Sequence, residues 1–541
     1  MTSFNFADMF ERLVDVAPAR AAVIADGVTR SYAETEERAN RLAHHLAGEG
    51  FGPGDHVGIY AYNGFEWVEG MLALYKIRAV PVNINYRYVE GELLYLFDNA
   101  DLVGLIAQRE FAPRIASVRS SVPALRHVIL SDDGSGAAVD GLDHVDLEHA
   151  VAAGSPERDF GPRSGDDVHM IFTGGSTGMP KGVVWRQEDI YFALAGGIDA
   201  YTKERVASPE QPSERVRDGA GPLVMYPLPP LMHGAGQIGT LRSLVAGDTT
   251  VLSARFDPDE AWRTAARERV NVMFITGDAM ARPLADALER LHGELDLSGL
   301  LSFSSSAAIF SPSLKEQFLR LLPGVIIVDS IGATETGMNG MQIAREGEAE
   351  AGGASTVDAA ADTIVVDDDL APLPPGSPEI GWVARTGNVP LGYYKDPERS
   401  ARTFFEVDGR RYAVAGDMAR HEADGRITLL GRGSVMINTG GEKVFPEEVE
   451  GVLKGHPDVF DALVVGLPDE RWGQRVTAVV QPRPGVRPTT EELAEHCRRH
   501  IARYKVPRQV FLVEEVVRAP SGKPDYPWAK RYAEEAAAAG G

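Results

Sequence analysis

Hydrophobic and polar residues alternate over residues 1–430 in blocks that predict helices and strands in turn. Ser31 and Glu34 form a capping-box pattern, and apolar residues at helical spacing follow between positions 39 and 46. Asp257 and Pro258 supply the cap and the first position of a later helix. This alternation predicts an α/β fold with stacked sheets.

Two short apolar runs are followed directly by polar residues. Val325–Val328 is typical of a buried parallel strand, and Asp329–Glu335 comes after it. In the same way, the apolar run Val168–Phe172 precedes the Gly/Ser/Thr-rich segment Thr173–Gly182. Ligands of open α/β sheets bind outside the carboxyl ends of the strands, so we expect both polar segments at a binding site.

The pattern changes near residue 431, where Gly431–Ser434 resembles a hinge. We therefore predict a large N-terminal domain over residues 1–432 and a small domain over residues 433–541. Within the large domain, Lys203–Gly221 and Glu346–Asp362 are polar and contain little to bury. Both segments are expected to be mobile surface loops.

The small domain has its own pattern of elements. A helix is predicted to begin at Pro446, and strands are predicted over residues 459–465 and 475–481. Thr489 and Glu492 form a capping box for a further helix. The pattern indicates a compact α+β unit.

Composition and length describe a globular protein rather than a membrane or disulfide-rich one. The chain has 541 residues, of which 44% are hydrophobic and 24% are charged. No apolar stretch approaches the roughly 18–20 residues that cross a bilayer, and the N-terminus lacks the pattern of a signal peptide. The single cysteine, Cys497, excludes an intrachain disulfide and a cysteine-built metal site. Together these features favour the cytoplasm.

The chain is strongly acidic, with a formal net charge of −24 at pH 7. A general nucleic-acid binder would present a basic face, so this function is disfavoured. Binding of an anionic nucleotide would have to rely on a locally positive pocket.

Thr173–Gly182 carries the most specific chemistry of the chain. Its glycines let the backbone approach polyphosphate closely, its N–H groups and hydroxyls donate, and Lys181 adds positive charge. A Walker A loop needs Lys followed by Ser or Thr, but Pro180 precedes Lys181 and Gly182 follows it. The glycine spacing of a dinucleotide-binding loop is also missing. Read alone, the segment predicts a phosphate-binding loop, with a flexible surface turn as the alternative.

Polar segments recur in a characteristic order along the whole chain. They are Thr173–Gly182, Asp329–Glu335, Tyr412–Asp417, Gly431–Arg432, Gly440–Lys443 and Pro520–Pro524. In this order and at this spacing they resemble the adenylate-forming acyl-CoA synthetases, which are relatives of the luciferases and of the adenylation domains of nonribosomal peptide synthetases. The resemblance covers essentially the whole chain.

The resemblance implies a fold and a reaction. The fold is a large domain of stacked α/β sheets with a β-barrel-like part, joined to a small mobile domain. In the reaction, a carboxylic acid attacks the α-phosphorus of ATP to give acyl-AMP and pyrophosphate, and the thiol of coenzyme A then displaces AMP. ATP, Mg²⁺ and coenzyme A are the implied co-substrates and metal. The oligomeric state stays open, with a homodimer as one option.

The resemblance also assigns the residues of the first step. Lys523 would stabilise the charge that develops on the phosphorus oxygens. Glu335 would ligate Mg²⁺, and Thr334 would contact the α-phosphate. Asp417 would accept hydrogen bonds from both ribose hydroxyls with the help of Arg432, because one carboxylate can accept two hydrogen bonds at once.

The remaining nucleotide contacts fall on small and polar residues of three segments. Thr173, Ser176, Thr177 and Lys181 would hold the β- and γ-phosphates and then the leaving pyrophosphate. The full set consists of Thr173, Gly174, Gly175, Ser176, Thr177, Gly178 and Lys181, then Ser306, Ala307 and Ala308, then Asp329, Ser330, Ile331 and Gly332.

The acid and coenzyme A have implied residues of their own. His233 and Gly234, with Gly332, match the segments that line the acyl pocket. Gly440 and Gly441 would leave room for the pantetheine arm, because a side chain there would block its tunnel.

Three positions depart from the family pattern. Ile331 stands where a tyrosine usually stacks on adenine, and Asn438 replaces a frequent lysine. Ser434 stands at the hinge position, which is usually Asp or Lys. None of these changes removes a reacting group, so they bear on nucleotide contacts and domain rotation.

The same variations resemble an actinobacterial branch that activates bulky polycyclic acids, such as steroid side-chain and diterpenoid acids. Medium- or long-chain fatty acids are the other candidates. Alternative functions are an acyl-AMP ligase that loads a carrier protein, a luciferase-like oxygenase and a non-catalytic nucleotide-binding scaffold. Retention of Lys181, Glu335, Asp417 and Lys523 argues against the scaffold.

Overall fold

The computed structural model describes most of the chain. The described residues are 3–175, 178–291, 293–306, 308, 310–347, 356–439, 442–469, 471–518 and 523–539. In them, no helix is long and apolar enough to cross a membrane.

Helices occur in both domains. They are α1 Phe6–Val16, α2 Tyr32–Gly48, α3 Phe65–Lys76, α4 Glu90–Asn99, α5 Ala112–Arg119, α6 Leu147–Ala153, α7 Gln187–Ala193, α8 Gln211–Arg217, α9 Gly234–Ala246, α10 Pro258–Arg267, α11 Gly277–Arg290, α12 Pro312–Leu321, α13 Pro397–Thr403, α14 Pro446–Lys454, α15 Thr490–His500 and α16 Tyr526–Ala539.

The strands form three sheets. They are β1 Ala21–Ala25, β2 Val28–Ser31, β3 His56–Tyr60, β4 Val80–Asn83, β5 Leu102–Gln108, β6 His127–Ser131, β7 Val145–Asp146, β8 Val168–Gly175, β9 Gly178–Arg186, β10 Val224–Pro227, β11 Thr249–Leu252, β12 Val272–Ile275, β13 Ser302–Ser305, β14 Ile326–Ala333, β15 Gly337–Ala344, β16 Thr356–Ala359, β17 Thr363–Val366, β18 Ile380–Thr386, β19 Gly392–Tyr393, β20 Phe404–Val407, β21 Arg410–His421, β22 Ile427–Arg432, β23 Ile437–Thr439, β24 Glu442–Val444, β25 Val459–Asp469, β26 Gly473–Pro482 and β27 Gln509–Leu512.

The first sheet of the large domain has the strand order β19-β9-β8-β4-β3-β5-β6-β7. Strands β3 to β7 run parallel, and β8 runs parallel to β4 before the chain turns back antiparallel along β9. Short apolar strands covered on both faces by helices produce this arrangement. The carboxyl ends of β3, β4 and β8 therefore lie at one edge of the sheet.

The second sheet changes character along its length. Strands β1, β11, β10, β12, β13 and β14 are parallel, whereas the strands beyond β14 pair antiparallel. The antiparallel part consists of β15 to β18 and β20 to β22. The change occurs at the hairpin of β14 and β15, where the Gly-x-Thr-Glu segment lies.

Local sequence signals set several of these boundaries as predicted. Ser31 forms the capping box of α2 with Glu34, and Asp257 caps α10. Thr489 forms the corresponding box of α15. The apolar run near residue 325 becomes β14, which begins at Ile326.

Two expectations of mobile loops were wrong in part. Lys203–Gly221 contains α8, with Pro212 in its first turn and with Pro212 and Val216 buried. Glu346–Asp362 contains β16, which pairs with β15 and β22. Long-range pairing supplies the burial that the local composition does not show. Residues 348–355 of the second segment lie outside the described residues.

The small domain is an α+β unit around the sheet β24-β23-β26-β25, with β27 parallel to β26. Its core includes Val449, Val464, Val479 and Leu493. The second sheet ends at Arg432 and the small sheet begins at residue 437, so the proposed division at 432/433 falls in the connection between them. The predicted α/β class, with a large and a small domain, is confirmed.

Candidate active site

One cavity of about 1980 Å³ is lined by residues of both domains. Most of the predicted site residues that the structure describes line it. They are Thr173, Gly174, His233, Gly234, Ser306, Ala308, Asp329, Ser330, Ile331, Gly332, Thr334, Asp417, Arg432 and Lys523. Glu335 and Lys181 lie outside this lining.

The predicted phosphate-binding loop is an antiparallel hairpin over most of its described length. Thr173 pairs with Lys181, and Gly175 pairs with Gly178, with a register irregularity between Thr173 and Gly175. Strand pairing therefore continues almost to the tip. A side chain at Gly182 would meet Phe172 at 2.9 Å, so packing as well as ligand access requires glycine here.

The buried side chain of Asn83, at the end of β4, forms hydrogen bonds with the hairpin. Its Oδ1 accepts from the Phe172 N–H at 2.7 Å, and its Nδ2 donates to the Phe172 carbonyl at 2.9 Å. The same Nδ2 donates to the Met232 carbonyl at 2.6 Å. One amide thus ties the phosphate hairpin to the segment that carries His233.

A second buried asparagine, Asn63, fixes the acyl-pocket segment. The Leu231 N–H donates to its Oδ1 at 2.7 Å, and its Nδ2 donates to the Pro229 carbonyl at 3.4 Å. His233 is the residue before α9, and its N–H donates to the Pro230 carbonyl. Asn63 therefore sets the geometry of the turn that leads into α9.

The Gly-x-Thr-Glu segment forms the end of the β14–β15 hairpin. A Cβ on Gly332 would lie 2.3 Å from the Gly337 carbonyl oxygen, which is too close for any side chain. Trp185, fully buried on β9, donates its indole N–H to the Thr334 carbonyl at 3.0 Å. Gly234 also lies beside Thr334, since its Cβ would be 3.4 Å from the Thr334 hydroxyl. The acyl and nucleotide segments therefore meet at Thr334.

The predicted metal ligand Glu335 is positioned by Tyr393 of the short strand β19. The Tyr393 hydroxyl donates to Glu335 Oε1 at 3.2 Å. Burial, together with the charge of Glu335, raises the pKa of Tyr393, so the phenol stays a neutral donor. No cluster of three or more His, Cys, Asp or Glu suited to a metal occurs in the described part of the chain.

Asp329 is less available than the family pattern suggests. Lys315 of α12 places its Nζ 2.5 Å from Asp329 Oδ2 and 3.0 Å from Gln342 Oε1. Burial raises the pKa of Asp329, and the charge of Lys315 opposes that shift. One carboxylate oxygen of this predicted nucleotide ligand is thus engaged by a buried lysine.

The predicted ribose-binding pair lies on two neighbouring strands. Asp417 of β21 is directly opposite Arg432 of β22, and Arg432 Nε lies 3.3 Å from Asp417 Oδ1. The antiparallel register alone brings the two side chains to the same face.

Lys523 reaches this site from the small domain. Burial lowers the pKa of Lys523 and the positive Arg432 adds to the shift, whereas the negative charges of Glu335 and Asp417 oppose it. These electrostatic neighbours are residues of the large domain. The structure therefore brings together a lysine and a carboxylate set that lie far apart in the sequence.

Some predicted residues cannot be placed. Ser176, Thr177, Ala307, Gly440 and Gly441 lie outside the described residues, as do positions 519–522 before Lys523. Ser434 lies within a short 3₁₀ turn that spans Gly433–Val435.

Departures from the family pattern have local explanations in two cases. Ile331 packs against the apolar cluster of Val357 and Val365 while lining the cavity. The backbone N–H of Asn438 donates a hydrogen bond to Gln474 Oε1 at 2.8 Å.

Sequence reasoning missed the residues that hold the site in place. Asn63, Asn83, Trp185, Lys315 and Tyr393 carry no family motif in the sequence, yet each contacts a predicted site segment. A usable signal existed for Asn83, which ends a short apolar strand, and the rule that drew attention to Asp329 applies to it equally.

Comparison with known proteins shows to which family the chain belongs. The AMP-binding enzyme family matches residues 10–394, and the AMP-binding enzyme C-terminal domain matches residues 448–523. A 3-oxocholest-4-en-26-oate–CoA ligase of Rhodococcus rhodochrous is 52% identical over 532 residues, which cover 98% of this chain and 96% of that protein. A medium/long-chain-fatty-acid–CoA/3-oxocholest-4-en-26-oate–CoA ligase of Mycobacterium tuberculosis H37Rv is 51% identical with the same coverage.

Solved structures agree on the fold. The anthranilate CoA ligase AuaEII in complex with anthranoyl-AMP superposes with a TM-score of 0.85 at 24% identity, over 99% of both chains. ATP-bound MatB from Rhodopseudomonas palustris gives a TM-score of 0.80 at 24% identity, over 98% of this chain and 99% of that one. The chain belongs to the AMP-binding enzyme family, and the prediction of an adenylate-forming, AMP-forming acyl-CoA synthetase is confirmed.

Proposed function

We propose that this acyl-CoA synthetase activates a steroid side-chain acid, accepts medium- and long-chain fatty acids, and uses Lys523 for the adenylation step. The observation that carries the proposal is that Lys523 of the small domain lines the same cavity as Thr334, Asp417 and Arg432 of the large domain. Separated domains would leave Lys523 outside the cavity, whereas this arrangement places its charge beside the predicted nucleotide-binding residues.

In the first step, the acid's carboxylate oxygen forms a bond to the α-phosphorus, and the bond to the pyrophosphate oxygen breaks. Lys523 and Thr334 stabilise the charge on the equatorial oxygens, while Asp417 accepts from the ribose hydroxyls. The Thr173–Lys181 segment would hold the leaving pyrophosphate through its backbone N–H groups and the charge of Lys181.

Glu335 would hold Mg²⁺ in this scheme. A single carboxylate fits this ion, because Mg²⁺ commonly binds through one or two carboxylates and completes its shell with substrate phosphates and water. The metal would neutralise the charge of the triphosphate. Tyr393 orients the Glu335 carboxylate by the hydrogen bond to Oε1.

In the second step, the sulfur of coenzyme A bonds to the acyl carbon, AMP leaves with the bonding electrons, and the thiol proton passes to solvent. Lys523 has no role in that step. The small domain would therefore move Lys523 out of the cavity before coenzyme A reacts. Gly440 and Gly441 stay predictions for the pantetheine tunnel. Gly441→Leu should block thioester formation while adenylation continues; normal turnover with coenzyme A would refute the tunnel assignment.

The substrate class is supported by the shape of the acid side of the cavity. Helix α9 turns Ala235, Ile238 and Gly239 toward the cavity, at helical spacing. Small residues at two of these three positions leave width for a fused ring system, and the surrounding wall contains apolar side chains as well as the charged Arg242 of the next turn of α9. That wall includes Met225, Leu228, Met232 and Phe274. Relatives with about half of their residues identical bear names of steroid-acid and fatty-acid ligases.

The decisive experiment is a panel of acids scored by pyrophosphate release with and without coenzyme A. The panel should include a cholestenoic acid with a C26 carboxylate, a diterpenoid acid, an aromatic acid, and saturated fatty acids of medium and long chain. The steroid acid should give the highest kcat/KM, with activity retained on fatty acids. A strong preference for short or aromatic acids would contradict the proposal.

A carrier protein is the alternative acceptor of the acyl group. Assaying free coenzyme A against an unacylated carrier protein with a free phosphopantetheine thiol separates the two, since thioester formation with coenzyme A alone excludes an obligatory carrier. The homodimer and the cytoplasmic location also stay predictions.

A further inference from the structure

Helix α11 of the large domain presents one face to the small domain. Asp278, Arg282 and Asp286 are spaced four residues apart, so they lie in a row along the helix. Each of them contacts a residue of the small domain. The row begins at the carboxyl end of β12, beside Thr276 of the cavity lining.

The first contact is a buried ion pair. Lys454, at the end of α14, places its Nζ 2.7 Å from Asp278 Oδ2, and the two side chains are only 1% and 6% exposed. The other carboxylate oxygen accepts from the Ser311 N–H at 2.7 Å, which fixes the orientation of Asp278. Burial opposes the charge of Asp278, but Lys454 holds its pKa below the usual range.

The second and third contacts extend the row. The Arg282 guanidinium lies over the ring of Phe460 on β25, 5.6 Å from its centroid. Arg483, just after β26, places Nη1 3.9 Å from Asp286 Oδ1. The row thus begins with the buried ion pair of Asp278 and ends with the partly exposed ion pair of Asp286, which is expected to be the weaker of the two.

Two features make these contacts reversible. Arg282 buries Nε and Nη2 without a hydrogen-bond partner among the described residues, so exposure to water on separation of the domains would satisfy them. Glu450 lies four residues before Lys454 on α14 and interacts with its charge. Lys454 therefore keeps an acidic neighbour on its own helix when it leaves Asp278.

We propose that the Asp278–Arg282–Asp286 face of α11 is a latch that holds the small domain where Lys523 enters the cavity, and that Lys454 exchanges Asp278 for Glu450 when the domain is released. Asp278 and Lys454 are then positioning residues for adenylation, which act by placing the small domain and with it Lys523. The inference rests on the function proposed above, because only that function gives the two domain arrangements different half-reactions.

Asp278→Asn is the sharpest test, since it keeps the acceptor for Ser311 and removes the charge that faces Lys454. We expect acid-dependent ATP–pyrophosphate exchange to fall about tenfold, as when a two-state equilibrium loses one of its holding contacts. Thioester formation from supplied acyl-AMP and coenzyme A should be unchanged or faster. Thermal unfolding of the variant should confirm that it folds.

Phe460→Leu provides a second variant, which keeps apolar volume and removes the ring face under Arg282. This variant should also lower acid-dependent ATP–pyrophosphate exchange, but by less than Asp278→Asn does. Glu491→Gln is the matched control, because it breaks an exposed ion pair with Arg498 within α15 of the small domain. This control should leave both half-reactions unchanged.

The position of the small domain relative to the large domain can be measured without any substrate. The native Cys497 is buried, so Val28→Cys and Val486→Cys, both at exposed positions of different domains, allow selective fluorophore labelling. Asp278→Asn should shift energy transfer between the labels away from the wild-type value. Equal losses in both half-reactions, or unchanged exchange together with unchanged energy transfer, would overturn the latch. If the wild type shows no acid-dependent exchange with any acid, the proposed function fails, and the energy-transfer comparison still tests the latch.

Discussion

The two halves of the active site are built in different ways. On the large-domain side, buried amides and an indole tie the segments together, as Asn63, Asn83 and Trp185 do. On the small-domain side, Lys523 is held in place by a domain contact whose main buried ion pair is Lys454–Asp278. Interior hydrogen bonds to backbone resist any rearrangement, whereas ion pairs at an interface exchange readily for water. One half is therefore preorganised, and the other is placed reversibly.

The largest expected effect is on the reversible half. Lys523→Ala should lower acyl-AMP formation by about 10²- to 10³-fold, the usual cost of losing one preorganised charge at a developing anion. Thioester formation from supplied acyl-AMP should stay close to wild type. Both half-reactions are measured separately, with Lys530→Ala as an exposed-lysine control on α16. Equal damage to both steps would assign Lys523 to the preorganised half instead.

Damage to the preorganised half should reach both steps together. Asn83→Ala leaves the backbone groups of Phe172 and Met232 without their partner, at a cost of about 1–3 kcal/mol for each unpaired buried group. The melting temperature and both half-reaction rates should fall in parallel. Asn83→Asp keeps the acceptor for the Phe172 N–H and loses the two donations, so it should still be impaired. Loss of adenylation alone would contradict the contrast between the halves.

A smaller effect is expected in the pH dependence of the first step. Burial lowers the pKa of Lys523, so this lysine loses its proton, and with it its charge, at a lower pH than an exposed lysine. The adenylation rate should therefore decline on the alkaline side below the pH expected for a free lysine, while the thioester step lacks that decline. In Lys523→Arg the residual adenylation should lose this decline, because arginine stays charged. A pH profile that is identical for both steps would argue against the assignment.

The smallest expected effect concerns Glu447, which lies at the junction of the domains. Burial raises the pKa of Glu447 to about 8, and the neighbouring charges of Glu450 and Asp417 add to the shift, whereas the Arg432 N–H opposes it. A raised pKa means that the observed domain arrangement binds the proton more tightly than a hydrated one. That arrangement should thus be favoured at low pH and weaken as the pH rises through about 8.

Energy transfer between the labels at positions 28 and 486 measures this dependence as a function of pH. Glu447→Gln should flatten the response, because the glutamine side chain stays uncharged at every pH. A response that persists in the variant would assign the pH dependence to another group, such as Glu450, whose pKa is raised to about 7 by burial.

Prediction from the sequence succeeded where the signal was local or carried by a motif. The capping boxes of α2 and α15 and the start of α14 were read from neighbouring residues. It failed where pairing partners lie far away, as for β16, which a composition of small and polar residues had marked as a loop. The strand pairing between Thr173 and Lys181 was likewise not predicted, because it leaves no trace in the glycine content of the segment.

The sequence by itself determined the family and the reaction class and predicted the reacting groups, because side-chain chemistry at family spacing is a property of the chain. Only the tertiary structure decided how those groups are held. Asn83 joins two segments whose contacts are 89 and 149 residues away, and Lys454 meets a residue of another domain. Hydrogen bonds and ion pairs of this kind depend on distance in space, which the order of residues along the chain does not encode in any local pattern.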